Sequence, residues 1–298
     1  MIRRILVFFL LLNGIQVQAQ YDYSPNGRND APTLGMNWGF VGGGYTSMLT
    51  NRDDIQADQR LDIEMMNFNW AAGIEGVYWF QRTVGFGGQM LYWNGGSAYS
   101  GSDTITGFNL SAKTKMTYAK MPLMFYFKSY NRYYPNRRTR FTAQFGPYVA
   151  MLLDYKEDVT RTYKDDPSIK TNYKFSKGSY STTGITGTLS GDLYNPFELG
   201  FTFGIGAEAR LWRRTVVAFN LRADIGISNV ENTKVMTMNY SDGSRDTMFT
   251  YFSKDYAKYN AANSIDQAGG WLPNRPATKN FSVGAFLSVR KYFGNYRP

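Results

Sequence analysis

The chain has 298 residues, a formal charge of +10, and neither histidine nor cysteine. Without cysteine there are no disulfides, thiolate metal sites or acylated lipoprotein anchor, and without histidine the commonest general base is missing. Aromatic residues make up 17% of the chain, yet its mean hydropathy is −0.40. That excludes a bundle of apolar membrane helices but not a membrane barrel, in which only alternate strand residues meet lipid.

Residues 1–19 have the three parts of a secretory signal: basic Arg3 and Arg4, an apolar run from Ile5 to Leu12, and small-residue positions ending at Val17-Gln18-Ala19. Cleavage is expected after Ala19. The apolar run stops at Asn13-Gly14, short of the roughly 20 residues of a spanning helix. Residues 20–35 then read as an N-terminal periplasmic segment, and 36–298 as the barrel domain.

Period-2 alternation recurs eight times, at Met36–Met48, Phe68–Phe80, Thr83–Trp93, Met116–Lys128, Arg140–Tyr155, Phe197–Leu211, Thr215–Val230 and Phe281–Phe293. In the seventh, Val217, Phe219, Leu221, Ala223, Ile225 and Ile227 make an apolar face. Ala218, Asn220, Arg222, Asp224, Gly226 and Ser228 make a polar or small one. Each run reaches the length of about 9 to 11 residues that crosses a bilayer at a barrel's tilt. Long connections (Leu49–Asn67, Asn94–Lys115, Lys156–Pro196, Glu231–Asn280) alternate with short ones (Gln81-Arg82, Ser129–Thr139, Trp212–Arg214). Bacterial barrels place long loops outside and short turns in the periplasm.

The expected fold is therefore all-β: a transmembrane antiparallel up-and-down β-barrel of eight strands. Ten strands is the alternative. It arises if Lys234–Tyr240 and Arg245–Phe252, separated by a turn at Ser241-Asp242-Gly243-Ser244, join the wall instead of standing above it as a hairpin.

Two aromatic girdles are expected at the headgroup levels. Trp79, Phe80, Phe127, Tyr130, Tyr133, Tyr134, Phe141, Trp212, Tyr292 and Phe293 belong to the periplasmic one. Phe68, Trp70, Tyr92, Trp93, Tyr155, Phe197 and Phe281 belong to the outer one.

The charge has a location. Arg82, Arg132, Arg137, Arg138, Arg213 and Arg214, with Lys291 and Arg297, gather at the short-turn end as a periplasmic basic rim. Such a rim suits lipid headgroups, or an acidic periplasmic protein partner. Nucleic acid is not expected as a partner of an exported chain.

The alternation also points Glu75, Asp154, Glu198, Glu208 and Asp224 inward, beside Lys120, Lys128, Arg140, Arg210, Arg222 and Arg290. This near balance reads as a lumen charge network of ion pairs filling the barrel, whereas a selective pore favours one sign. No catalytic constellation, cofactor site or metal site emerges. Lys164-Asp165-Asp166 and Arg52-Asp53-Asp54 lack the ligand spacing of a calcium loop. Gly204-Ile205-Gly206 and Gly42-Gly43-Gly44 open no helix that could take a phosphate.

At Tyr118–Lys128 the stretch YAKMPLMFYFK, with Pro122, resembles a hairpin strand of the PorT-like outer-membrane barrels of Bacteroidetes. Gln144–Tyr148, Phe197–Gly200 with Gly204–Glu208, Leu221–Asn229 and Phe281–Phe293 resemble successive strands of that family. Ala223-Asp224 stands where the family commonly has an aromatic, and Gly294–Pro298 runs past the terminal aromatic. The resemblance implies an outer-membrane location and, for some members, a part in a secretion and gliding apparatus. The expected function is that of a non-enzymatic structural or interaction protein of the cell envelope. A narrow porin-like channel for small solutes and a secretion accessory stay open as alternatives.

Overall fold

The computed structural model describes residues 34–50, 60–64, 67–102, 108–129, 139–182, 185–212, 215–232, 235–241, 243, 245–249 and 277–293. The signal segment, nearly all of the N-terminal segment, and Arg132, Arg137, Arg138, Arg213, Arg214 and Arg297 lie outside these residues.

Eight strands form a ring: β1 (Gly35–Thr50), β3 (Phe68–Trp79), β4 (Val84–Ser102), β5 (Phe108–Lys128), β6 (Thr139–Tyr163), β10 (Phe197–Trp212), β11 (Thr215–Gly226) and β14 (Lys279–Phe293). Each pairs antiparallel with its chain neighbour in the ring. The ring closes because β14 pairs with both β11 and β1. Closure leaves no wall edge unpaired, the condition for strands in hydrocarbon, where water cannot satisfy backbone groups.

Alternation decides which face meets what. On β11, Phe219 and Leu221 are 51% and 53% exposed, while Asn220 and Arg222 between them are 9% and 2% exposed. The same holds for Phe201 and Phe203 against Thr202, and for Trp38 and Phe40 against Asn37. The exposed apolar side chains continue around the ring, as a lipid-facing surface must.

Three strands outrun the membrane. β4, β5 and β6 have 19, 21 and 25 residues, so the expected second long loop is mostly a continuation of the β4–β5 hairpin. At about 3.4 Å per residue, β6 alone reaches roughly 85 Å. Beyond β6 the sheet continues through β7 (Lys170–Ser176), β8 (Ser179–Thr182), β9 (Ile185–Leu189), β12 (Val235–Tyr240) and β13 (Arg245–Phe249). The short β2 (Arg60–Glu64) pairs with the upper part of β4. Because β12 pairs with β13 and β9, and β11 pairs directly with β14, the fourth-loop hairpin stands above the wall, which keeps its eight strands.

Two expectations are corrected. A register shift opposite Thr117/Tyr118 puts an extra residue into β6 at Leu153. Even residues of β6 face inward below it (Tyr148, Ala150, Leu152), and odd ones above it (Tyr155, Glu157, Val159). Asp154, expected inward, is therefore exposed on the outer face. The second correction concerns the girdles. Phe127, Phe141 and Phe293 below, and Phe68, Trp70, Tyr92 and Phe197 above, do face outward. Trp79, Trp93, Tyr155 and Tyr292 do not: their positions carry inward parity, and all are buried.

Candidate functional site: the barrel lumen

The lumen is built in layers, and the strand register sets each one. In the lower layer Gly39 stands directly between Arg290 on β14 and Glu75 on β3. Lacking a side chain, it lets the two meet across β1. A Cβ on Gly39 would fall 1.8 Å from the Val289 carbonyl oxygen. The Arg290 guanidinium then bridges two carboxylates, Glu75 at 3.4 Å and Glu208 at 3.0 Å. Lys128 Nζ lies 3.7 Å from the Trp79 ring centroid and donates to Tyr292 Oη at 3.5 Å. Arg140, opposite Glu208 in the register, is buried, and Arg210 is half-buried nearer the mouth.

The middle layer centres on Asp224. Cross-strand pairing puts Thr202 and Ser282 on either side of it, and period 2 puts Arg222 two residues away on the same face. Asp224 accepts from Thr202 Oγ1 at 2.6 Å, Arg222 Nε at 2.9 Å, Lys120 Nζ at 3.0 Å and Ser282 Oγ at 3.4 Å. Arg222 also donates to Gln89 Oε1 at 2.8 Å and Thr202 Oγ1 at 3.3 Å.

Both cations are roofed by aromatics. Lys120 Nζ sits 4.0 Å from the Trp93 centroid and 3.7 Å from that of Tyr148. The Arg222 guanidinium lies against the edge of a stack of two rings, 5.4 Å from the Trp93 centroid and 5.0 Å from that of Phe286. Tyr45 stacks on Trp93 with centroids 4.0 Å apart. Buried charge is costly unless both partners are hydrogen-bonded. Four acceptor contacts on one carboxylate and ring faces on the cations meet that condition. Glu198, at the upper edge of this layer, accepts from Tyr148 Oη at 2.5 Å and Asn280 Nδ2 at 3.3 Å.

Above it the chain covers its own outer mouth. Tyr155, Val159, Phe175, Tyr180, Leu189, Leu193, Tyr194 and Val230 are buried, in one apolar cluster with the lumen residues Tyr45, Trp93, Tyr118 and Phe286. The ends of the third and fourth loops are tied together there. Asn195 Nδ2 donates to the carbonyls of Asn229 and Glu231, both at 2.9 Å. Asn229 Oδ1 accepts from the backbone of Thr278 at 3.0 Å. Inside the cover, the buried Glu157 accepts from Tyr194 Oη at 2.6 Å.

The expected lumen residues thus fall into two groups: Glu75, Glu208, Arg290, Lys128, Arg140 and Arg210 below, and Lys120, Arg222, Asp224 and Glu198 above. The aromatic partners of the cations and the neutral relays Gln89, Thr202, Tyr148 and Asn280 were not anticipated. Strand parity was the signal that could have found them, since Trp79 and Trp93 share the odd positions of Glu75 and Leu91 on a hairpin. Of the basic rim, Arg82 and Lys291 are among the described residues, Arg82 half-buried in the β3–β4 turn and Lys291 exposed near the end of β14.

An antiparallel ring with an apolar outside and a charged, packed inside defines a transmembrane β-barrel of the bacterial outer membrane. The family described as outer membrane protein beta-barrel domain matches residues 18–232, and the chain belongs to that family. A search of the curated proteins finds no match.

Among solved structures it is similar to the outer membrane protein OprG from Pseudomonas aeruginosa, at 11% identity and a TM-score of 0.39, over 88% of this chain and 97% of that one. It is similar to a major outer membrane protein from Thermus thermophilus, at 10% and 0.37, over 86% and 99%. It is also similar to Ail, the attachment invasion locus protein of Yersinia pestis, at 7% and 0.32, over 86% and 99%.

Proposed function

We propose that the protein is a non-enzymatic structural and interaction barrel of the cell envelope, whose lumen serves as a packed interior and passes no solute. The observation that carries this reading is the middle layer. Asp224, Lys120 and Arg222 satisfy one another across the lumen, under a stack of Tyr45 and Trp93. An eight-stranded ring is just wide enough for side chains to fill. The extracellular cover over the same axis supports it further, as does the lack of any imidazole to serve as general base.

Planar-bilayer recording of the refolded full-length protein tests it. The reading expects a baseline without unitary steps, and steady unitary currents would replace it with a narrow channel. The interacting surfaces are then the extracellular sheet and the basic rim at the periplasmic end, the second suited to lipid headgroups or an acidic periplasmic protein.

The strand motifs around Pro122 and Leu221–Asn229 support a narrower reading, a PorT-like accessory of a Bacteroidetes secretion or gliding system. Deletion of the gene then reduces cargo export, and unchanged export removes that reading. Export through a cleaved signal is part of the proposal: the mature protein is expected to begin at Gln20, and intact-mass measurement of the membrane form reads this directly.

A further inference from the structure

A cavity of about 390 Å³ opens where β3, β4, β5 and β6 pass the outer edge of the apolar band. Its lining combines two kinds of group. Phe68 and Trp70 face outward at its lower side, 84% and 53% exposed. Lys113 and Lys115 on β5 and Lys156 on β6, all exposed, make its charged side.

Lys115 and Lys156 are direct cross-strand partners in the β5–β6 ladder, and Lys113 is two residues along on the same face. Like charges directly opposite each other destabilise a ladder, so this pairing calls for an anion between the two ammonium groups. Among the described residues, the acidic groups nearby only partly supply it. Asp154, in the lining, turns Oδ1 to the backbone N–H of Tyr155 at 2.9 Å. Asp158 stands opposite Lys113, one ladder position beyond the lysine pair on that face. The bulge at Leu153 creates the site, since without it Lys156 would point into the lumen.

The height of the cavity identifies its occupant. Below it Leu153, Met151 and, further down, Met121 are exposed apolar side chains of the same strands, and Trp70 packs on Tyr92 with centroids 5.6 Å apart. Such ring pairs mark headgroup level. The lysines sit just above hydrocarbon, on the side of the long loops.

We propose that this cavity binds the phosphate-bearing headgroup of a glycolipid of the outer leaflet. Lys115 and Lys156 clamp the phosphate, Lys113 adds to the field, and Phe68 and Trp70 lie against the sugar and the upper acyl chain.

The test uses the full-length protein in zwitterionic detergent micelles. Its probes are a phosphorylated diglucosamine glycolipid, the same lipid dephosphorylated, and inorganic phosphate. Each lysine near a charged headgroup is worth about fivefold in affinity, so Lys115→Gln with Lys156→Gln weakens binding of the phosphorylated lipid about thirtyfold. Lys115→Arg with Lys156→Arg keeps it within a few-fold, and inorganic phosphate at equal concentration does not displace it.

Heat-modifiable migration checks that each variant forms a closed barrel. If the glutamine pair does not close, Lys113→Gln serves in its place, with a several-fold loss expected. Three results overturn the proposal: unchanged binding in closed glutamine variants, equal binding of the dephosphorylated lipid, or displacement by equimolar phosphate, which would make this a site for a free anion.

Discussion

Asp224 shows how a single residue holds the interior together. Its carboxylate is the shared acceptor for Lys120 and Arg222, and none of the three reaches solvent. Removing one partner of a buried set leaves the others charged and unpaired, a loss of about 3–5 kcal/mol. Asp224→Ala is therefore expected to lower the unfolding free energy of the protein in lipid vesicles by that amount, as read from urea titration. Replacing Asp224, Lys120 and Arg222 together with apolar residues of similar volume should cost much less. Equal losses for the two variants would mean that shape alone matters there.

Gly39 is the backbone counterpart. With the Val289 carbonyl oxygen 1.8 Å from a would-be Cβ, Gly39→Val is expected to abolish the compact, fast-migrating form on unheated gels. Among groups outside the membrane, Asp166 is distinctive. It accepts from the side chain of Ser168 at 2.5 Å and from its backbone N–H at 3.0 Å, and these bonds hold its carboxyl below the ordinary carboxylate range. A depressed folded value stabilises the turn above the unfolded value, and that contribution fades as pH falls through the folded one. Ser168→Ala should move the Asp166 titration upward, as read by carbon-detected NMR.

At this scale the inward charges were legible, because a charged residue in a period-2 run has one sensible direction. Asp154 was not, because the bulge that turns it outward leaves no trace in the residue pattern. The aromatics were misassigned for a different reason. Trp79, Trp93 and Tyr292 lie near strand ends, where lipid-interface rings also gather, and their role as partners for buried cations shows only once the far wall is in place.

At the scale of the element, β11 is the clearest case. Phe219 lies on the lipid side near mid-strand, so Phe219→Arg should cost roughly 2–4 kcal/mol, the penalty for a charge near the bilayer midplane. Guanidinium unfolding in thin-bilayer vesicles measures it. A change of less than about 1 kcal/mol would place the residue near an interface instead.

All eight ring strands were readable because each must present hydrocarbon-compatible residues on alternate positions. The extensions of β4, β5 and β6, and the strands β7 to β9, were hidden for the converse reason. Outside the membrane both faces of a strand can be polar, as in Lys170–Ser176, so the apolar alternation that marks a wall strand is absent. The long loops were seen as loops, while the sheet they contain is set by pairing with β6 and by the buried tyrosines Tyr155, Tyr180 and Tyr194.

At the scale of the molecule, a hydrocarbon-facing surface and a filled interior alternate residue by residue around a closed ring. The chain has no native cysteine, so single cysteines can be placed along β11 from Val216 to Ile225 and spin-labelled in lipid vesicles. Collision with lipid-dissolved oxygen is predicted to peak at positions 217, 219, 221, 223 and 225 and to fall at the even positions between them. A flat profile, or maxima at the even positions, would contradict the barrel as described.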